Sequence, residues 1–86
     1  MRLEFEPTAF ADLQYWVSTD TKMAKTVMKL IEETKRAPFG GIGKPEPLKG
    51  ELSGWWSKRI DQEHRLIYRV EGDSLLIAQA RGHYDD

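Results

Sequence analysis

Residues 37–54 of this chain, APFGGIGKPEPLKGELSG, hold five glycines and three prolines. So many backbone breakers in one stretch leave little room for a regular helix or a central strand. The stretch divides the 86 residues into a front part with helical periodicity and a back part with strand-like patterning. A loop of this length in so small a chain is more often functional than idle.

The opening RLEFE alternates Leu3 and Phe5 with charges, as a short strand does. Pro7 ends it and Thr8 is placed to cap a helix beginning there. Phe10, Leu13, Trp16 and Val17 then line one face of that helix, an expected core stripe. Ser18, Thr19 and Asp20 interrupt that pattern with side chains that accept from the free N–H groups of a helix start. In the second helix Met23, Val27, Leu30 and Ile31 form the apolar stripe, and Pro38 and Gly40 close it. Behind the loop, WWSKRI, RLIYRV and LLIAQAR read as three strands, joined by DQEH and EGDS as an antiparallel meander. The expectation is a single α+β domain spanning 1–86, with an N-terminal strand and a two-helix hairpin packed on an antiparallel β-sheet whose other face is open.

A chain this short buries a modest core, so a second subunit or protein partner would help its stability. It has no cysteine, which removes disulfides, thiolate chemistry and cysteine metal sites. His64 and His83 lie too far apart, with too few companions, to suggest zinc, and nothing else in the sequence asks for a metal or cofactor. Neither a secretory leader nor a run of about 20 apolar residues is present, so a soluble cytoplasmic protein is expected.

Net charge is only −1, yet it is unevenly distributed. Residues 35–70 carry eight basic and four acidic side chains, a local +4 between a front of −2 and a tail of −3. That is either a polyanion footprint or the solvated face of a sheet. A patch this weak predicts poor, salt-sensitive affinity for free RNA.

Glu46 sits between Pro45 and Pro47, which stiffen the backbone around its carboxylate. Together with Lys49, Arg59, Arg65, His83 and Tyr84 it supplies what a metal-free ribonuclease requires. A carboxylate takes the proton of the attacking 2′-hydroxyl, guanidinium groups stabilise the charge gathering on phosphorus, and an imidazole protonates the leaving 5′-oxygen. Each has an ordinary competitor. Glu46 is equally a surface glutamate in a turn, Arg59 equally a partner for Asp61 or Glu63, and His83 equally a tail residue. His64, in the turn QEHR, reads as structural. Trp55 and Trp56 face opposite ways if they lie in one strand, so at most one fills the core and the other is a candidate for a subunit interface or base stacking. Arg59 and Arg65 share a face only if opposed residue numbers sum to an even value, which needs an odd connection or a bulge.

Taken together, GKPEPLK, LSGWWSKRI, EHRLIYRV and the terminal HY resemble, in order and spacing, the YoeB (Txe) toxins of bacterial toxin–antitoxin pairs, within the RelE and ParE superfamily. The resemblance runs from RLEF to Tyr84. It implies a ribosome-dependent messenger-RNA endoribonuclease that needs no metal, is commonly dimeric, and is silenced by an antitoxin of the YefM type. It further implies Glu46 as general base, Arg65 as transition-state stabiliser, His83 as general acid, Tyr84 as substrate-orienting residue, and Lys49 and Arg59 as phosphate contacts. Asp85 and Asp86 depart from the family, whose members commonly finish near the tyrosine; a modest effect on rate and pH optimum is expected of them. Two rival functions remain at this point: a gyrase-directed ParE-like toxin and a non-catalytic binding module.

Overall fold

A computed structural model describes residues 1–83. Its elements are β1 (Arg2–Phe5), α1 (Pro7–Thr19), α2 (Thr21–Arg36), β2 (Glu46–Pro47), a 3₁₀ turn (Gly50–Leu52), β3 (Trp56–Arg59), β4 (Arg65–Glu71) and β5 (Ser74–Gln79). The strands form one sheet in the order β1-β5-β4-β3-β2. The meander of β3, β4 and β5 is antiparallel as expected, but β1 joins beside β5 in parallel, so the sheet is mixed.

Asp20 ends α1 and caps α2, where its carboxylate accepts the Met23 N–H at 3.1 Å. The α2 stripe is buried as the periodicity predicts: Val27, Leu30 and Ile31 lie in the core, with Ala24 beside them and Met23 packed against its edge. Each of the larger three contributes about 1.5–3 kcal/mol of apolar transfer.

The first helix differs from its expected form in two ways. Its cap position is Glu6, with Pro7 opening the helix, rather than Thr8; a proline there is preset to helical φ and lacks only an N–H that had no helical partner. The helix is also turned about its axis, leaving Phe10 51% and Val17 53% exposed. Trp16 is buried and Leu13 packs against the core as expected, and Ala9 is buried in addition. Trp16 sets this rotation, because its buried indole Nε1–H needs an acceptor and finds the Ala80 carbonyl at 2.9 Å.

Register assigns the side chains of each strand to one of two faces. Leu66 and Tyr68 of β4, with Leu75 and Ile77 of β5, enter the core under the helices. Between Ile67 and Tyr68 the pairing with β5 slips by one residue, a bulge that changes the alternation. As a result Ala80, rather than Gln79, follows Leu75 and Ile77 into the core.

Lys58 lies on the helix side as well, opposite Leu66, and is fully buried. Its Nζ donates to the Ala37 carbonyl at 3.1 Å, and burial pushes the amine below its ordinary pKa, partly offset by Glu33. Lys58 therefore leaves the basic patch inferred from the sequence. Tyr68 donates its hydroxyl to Pro38 and burial raises its pKa. Two core side chains thus hold the start of the glycine-rich loop.

Candidate active site

Backbone bonds continue what Lys58 and Tyr68 begin. Gly43, at φ +91°, offers its carbonyl to the Arg59 N–H at 2.6 Å, and the Leu48 N–H donates to Trp55 O at 2.9 Å. Between these ties the loop forms the edge strand β2, with Glu46 opposite Ser57 and Pro47 opposite Trp56. Sequence reasoning left no strand here. An edge tolerates it because only one side of the strand needs hydrogen bonds. Glu46 is exposed on the open face, in line with Ser57, Ile67 and Gln79 across the sheet.

Arg59 stands directly opposite Arg65. Their numbers sum to an even value and the connection 60–64 is odd in length, so both belong to the open face. The Arg59 N–H goes to Gly43 and the Arg65 N–H to Gly82, which makes this a non-hydrogen-bonded pair, the closer of the two antiparallel geometries. Arg59 makes no ion pair among the described residues. Its sequence-level alternatives are engaged elsewhere: Asp61 Oδ1 accepts the Glu63 and His64 N–H groups at 2.8 and 2.7 Å, and Glu63 lies 3.8 Å from His64 Nε2. Burial works to raise the Asp61 carboxyl, and those two backbone donors together with nearby positive charge, Arg65 included, outweigh it, holding the group below its ordinary pKa. Arg65 curls over the same turn, its Nη1 donating to Asp61 O at 2.9 Å, His64 O at 3.1 Å and Gln62 O at 3.3 Å. Two arginines thus stand opposite each other on one face of the sheet, and neither forms an ion pair among the described residues.

His83 follows a segment that is tied down residue by residue. The Ala80 N–H donates to Asp12 Oδ2 at 2.9 Å, and the Ala80 carbonyl accepts from Trp16. The Arg81 carbonyl accepts from Gln79 at 2.8 Å. Gly82, at φ +79°, donates to His64 Nδ1 at 2.8 Å and accepts from the Arg65 N–H at 2.9 Å. Exposed His83 thus departs from a fixed point beside Arg65. Glu46, Arg59, Arg65 and His83 come from four neighbouring positions across the sheet. Lys49 is exposed past the far end of β2, away from the arginine pair. Tyr84, Asp85 and Asp86 lie outside the described residues.

Sequence reasoning counted Arg69 only toward the charge of the middle segment. Its guanidinium lies over the Trp55 ring, 4.5 Å from the centroid, and pairs with Glu71. Trp56 packs at the core, so the expected opposition of the two tryptophans holds.

No helix among the described residues is long and apolar enough to cross a membrane. The sequence model of a family described as "YoeB-like toxin of bacterial type II toxin-antitoxin system" matches residues 5–84. Toxin YoeB of Escherichia coli (strain K12) is 52% identical over 84 residues, covering 98% of this chain and 100% of its own. The structure of a YoeB/ParE toxin from Agrobacterium tumefaciens superposes with a TM-score of 0.94 at 45% identity, covering 98% of this chain and 100% of that one. A heterotetrameric YoeB–YefM toxin–antitoxin complex from Staphylococcus aureus contains a similar chain, with a TM-score of 0.88, 41% identity and 98% of each chain covered.

Proposed function

Because this chain belongs to the YoeB-like toxin family of bacterial type II toxin–antitoxin systems, we propose that it is a ribosome-dependent messenger-RNA endoribonuclease that cleaves without a metal in the decoding site. The observation that carries this reading is the opposed Arg59–Arg65 pair, with Glu46 on one side of it and the anchored His83 segment on the other. Like charges directly opposite in a sheet destabilise it. A phosphodiester gaining charge as its phosphorus becomes pentacoordinate reverses the sign of that interaction.

In this mechanism Glu46 takes the proton of the 2′-hydroxyl, whose oxygen attacks phosphorus. The bond to the 5′-oxygen breaks as His83 donates a proton to it, leaving a 2′,3′-cyclic phosphate and a 5′-hydroxyl. Arg65 and Arg59 hold the charged phosphoryl oxygens, Lys49 contacts a flanking phosphate, and Tyr84 orients the substrate as the family resemblance implies. The ribosome supplies most of the docking surface, since the basic patch is small and loses Lys58 to the core.

The S. aureus relative is found with YefM, which supports an antitoxin of that type here. Exposed Phe10, Val17 and Met28 offer apolar area to protein partners, antitoxin and second toxin copy alike. The chain acts in the bacterial cytoplasm as a single toxin domain, residues 1–86.

The test maps messenger-RNA ends on translating ribosomes with the unaltered chain, Glu46→Gln and His83→Gln, against ribosome-free RNA. Cleavage only on ribosomes, leaving a cyclic or 3′-phosphate and lost in both variants, is the expected result. No cleavage by the folded unaltered chain overturns the reading and favours a gyrase-directed or purely regulatory toxin.

A further inference from the structure

We propose that His64 is a positioning residue: by accepting the Gly82 N–H on Nδ1, it holds the segment that carries His83 against the strand that carries Arg65. The effect on cleavage rests on the nuclease reading above. The tie itself does not.

Both peptide groups of Gly82 are captured by consecutive residues, its N–H by His64 Nδ1 at 2.8 Å and its carbonyl by the Arg65 N–H at 2.9 Å. The imidazole is itself fixed. It meets Trp16 edge to face, with ring centroids 4.9 Å apart and planes at 78°. Its backbone closes the turn, with His64 N–H on Asp61 Oδ1 at 2.7 Å and the His64 carbonyl accepting from Ile60 at 2.9 Å. In this contact Nδ1 is the acceptor and the Gly82 amide the donor.

On its other side, Nε2 lies 3.8 Å from Glu63 Oε1 of the same turn. Arg81 is drawn aside onto the Tyr15 ring, 3.6 Å from the centroid. The remaining anchors of the segment, Asp12, Trp16 and Gln79, all act on Ala80 or Arg81. His64 is the side chain that reaches the residue immediately before His83.

His64→Leu removes the acceptor, while His64→Asn puts a side-chain oxygen in place of Nδ1 that accepts but does not titrate. Amide hydrogen exchange on the free protein reads the tie directly. The protection factor of Gly82 is expected to fall about tenfold in His64→Leu. Protection is expected to be retained in His64→Asn. On ribosomes His64→Leu loses about tenfold or more in kcat with KM nearly unchanged, as misplacement of a proton donor predicts. His64→Asn is expected to restore most of that kcat. Unchanged Gly82 protection in His64→Leu, or a kcat in His64→Asn as low as in His64→Leu, would overturn the proposal. Gly82 protection that behaves as expected in a chain that cleaves no RNA would refute the nuclease reading and leave the tie standing.

Discussion

Replacing Arg59 with glutamine is expected to make the protein more stable and less active. Arg59 and Arg65 are opposed in a non-hydrogen-bonded pair, and neither forms an ion pair among the described residues. Opposed Cβ atoms in such pairs lie roughly 5 Å apart; taking the guanidinium groups at a similar separation sets the scale of their repulsion at about 0.8 kcal/mol in water. At about 4–8 °C per kcal/mol for a domain of this size, Arg59→Gln should raise Tm by roughly 3–6 °C at low salt. Differential scanning calorimetry at about 0.01 M and about 1 M NaCl checks this, because a Debye length near 3 Å at the higher concentration screens the repulsion and should erase most of the difference. Inorganic phosphate should raise the Tm of the unaltered chain more than that of the variant. Ribosomal cleavage by the variant should fall at least tenfold. A Tm that is unchanged or lower in Arg59→Gln at low salt would refute the reasoning, since the arginines would then not be held in conflict.

Three further outcomes are expected of the loop and its anchors. Gly43→Ala should cost about 1–2 kcal/mol in urea unfolding, because φ is +91° and the added Cβ would meet Lys58 Cβ at 3.0 Å and Arg59 O at 3.3 Å. Lys58 has a pKa lowered in the folded chain, so between that value and 10.5 the unfolded chain binds more protons and stability rises with pH. Lys58→Met should flatten that rise, measured as unfolding free energy at several pH values. Trp16→Phe leaves the Ala80 carbonyl without its donor, which should cost about 1–3 kcal/mol and, through the segment it anchors, lower cleavage on ribosomes.

Much of this architecture is legible in the order of residues alone. Asp20 and the Met23–Ile31 stripe announce α2, and the parity rule for Arg59 and Arg65 anticipates their shared face. What escapes has no local signal, or one that composition obscures. Pairing of β1 with β5 joins Arg2 to Ser74, a contact that no periodicity encodes. Phe10 and Val17 are larger and more apolar than Ala9, so they outweigh it in a stripe read by hydrophobicity, although the hydrogen bond of Trp16 decides the rotation. Lys58 reads as surface by charge alone. Its inward direction follows from alternation, since it lies two residues from core-packed Trp56 in the same strand. At the site, residue types and spacing suggest Glu46, Arg65 and His83, but nothing in the spacing says that the last residues are fastened to α1 and the β3–β4 turn. The Asp12, Trp16 and His64 contacts that fasten them span 18 to 68 residues of sequence.

The parallel pairing of β1 with β5 also has a consequence for synthesis of the chain. β1 has its sheet partner in residues 74–77, so it must wait for the helices and the other strands to be made before it can pair. Contacts of such long sequence separation are made late, after the entropy of closing the loop between them has been met. The last strand both completes the sheet and leads into His83. A growing or prematurely released chain therefore lacks the partner of β1 and the proposed proton donor together. On the proposed reading, a cell making this toxin is not exposed to its chemistry until the codons for β5 and His83 have been translated.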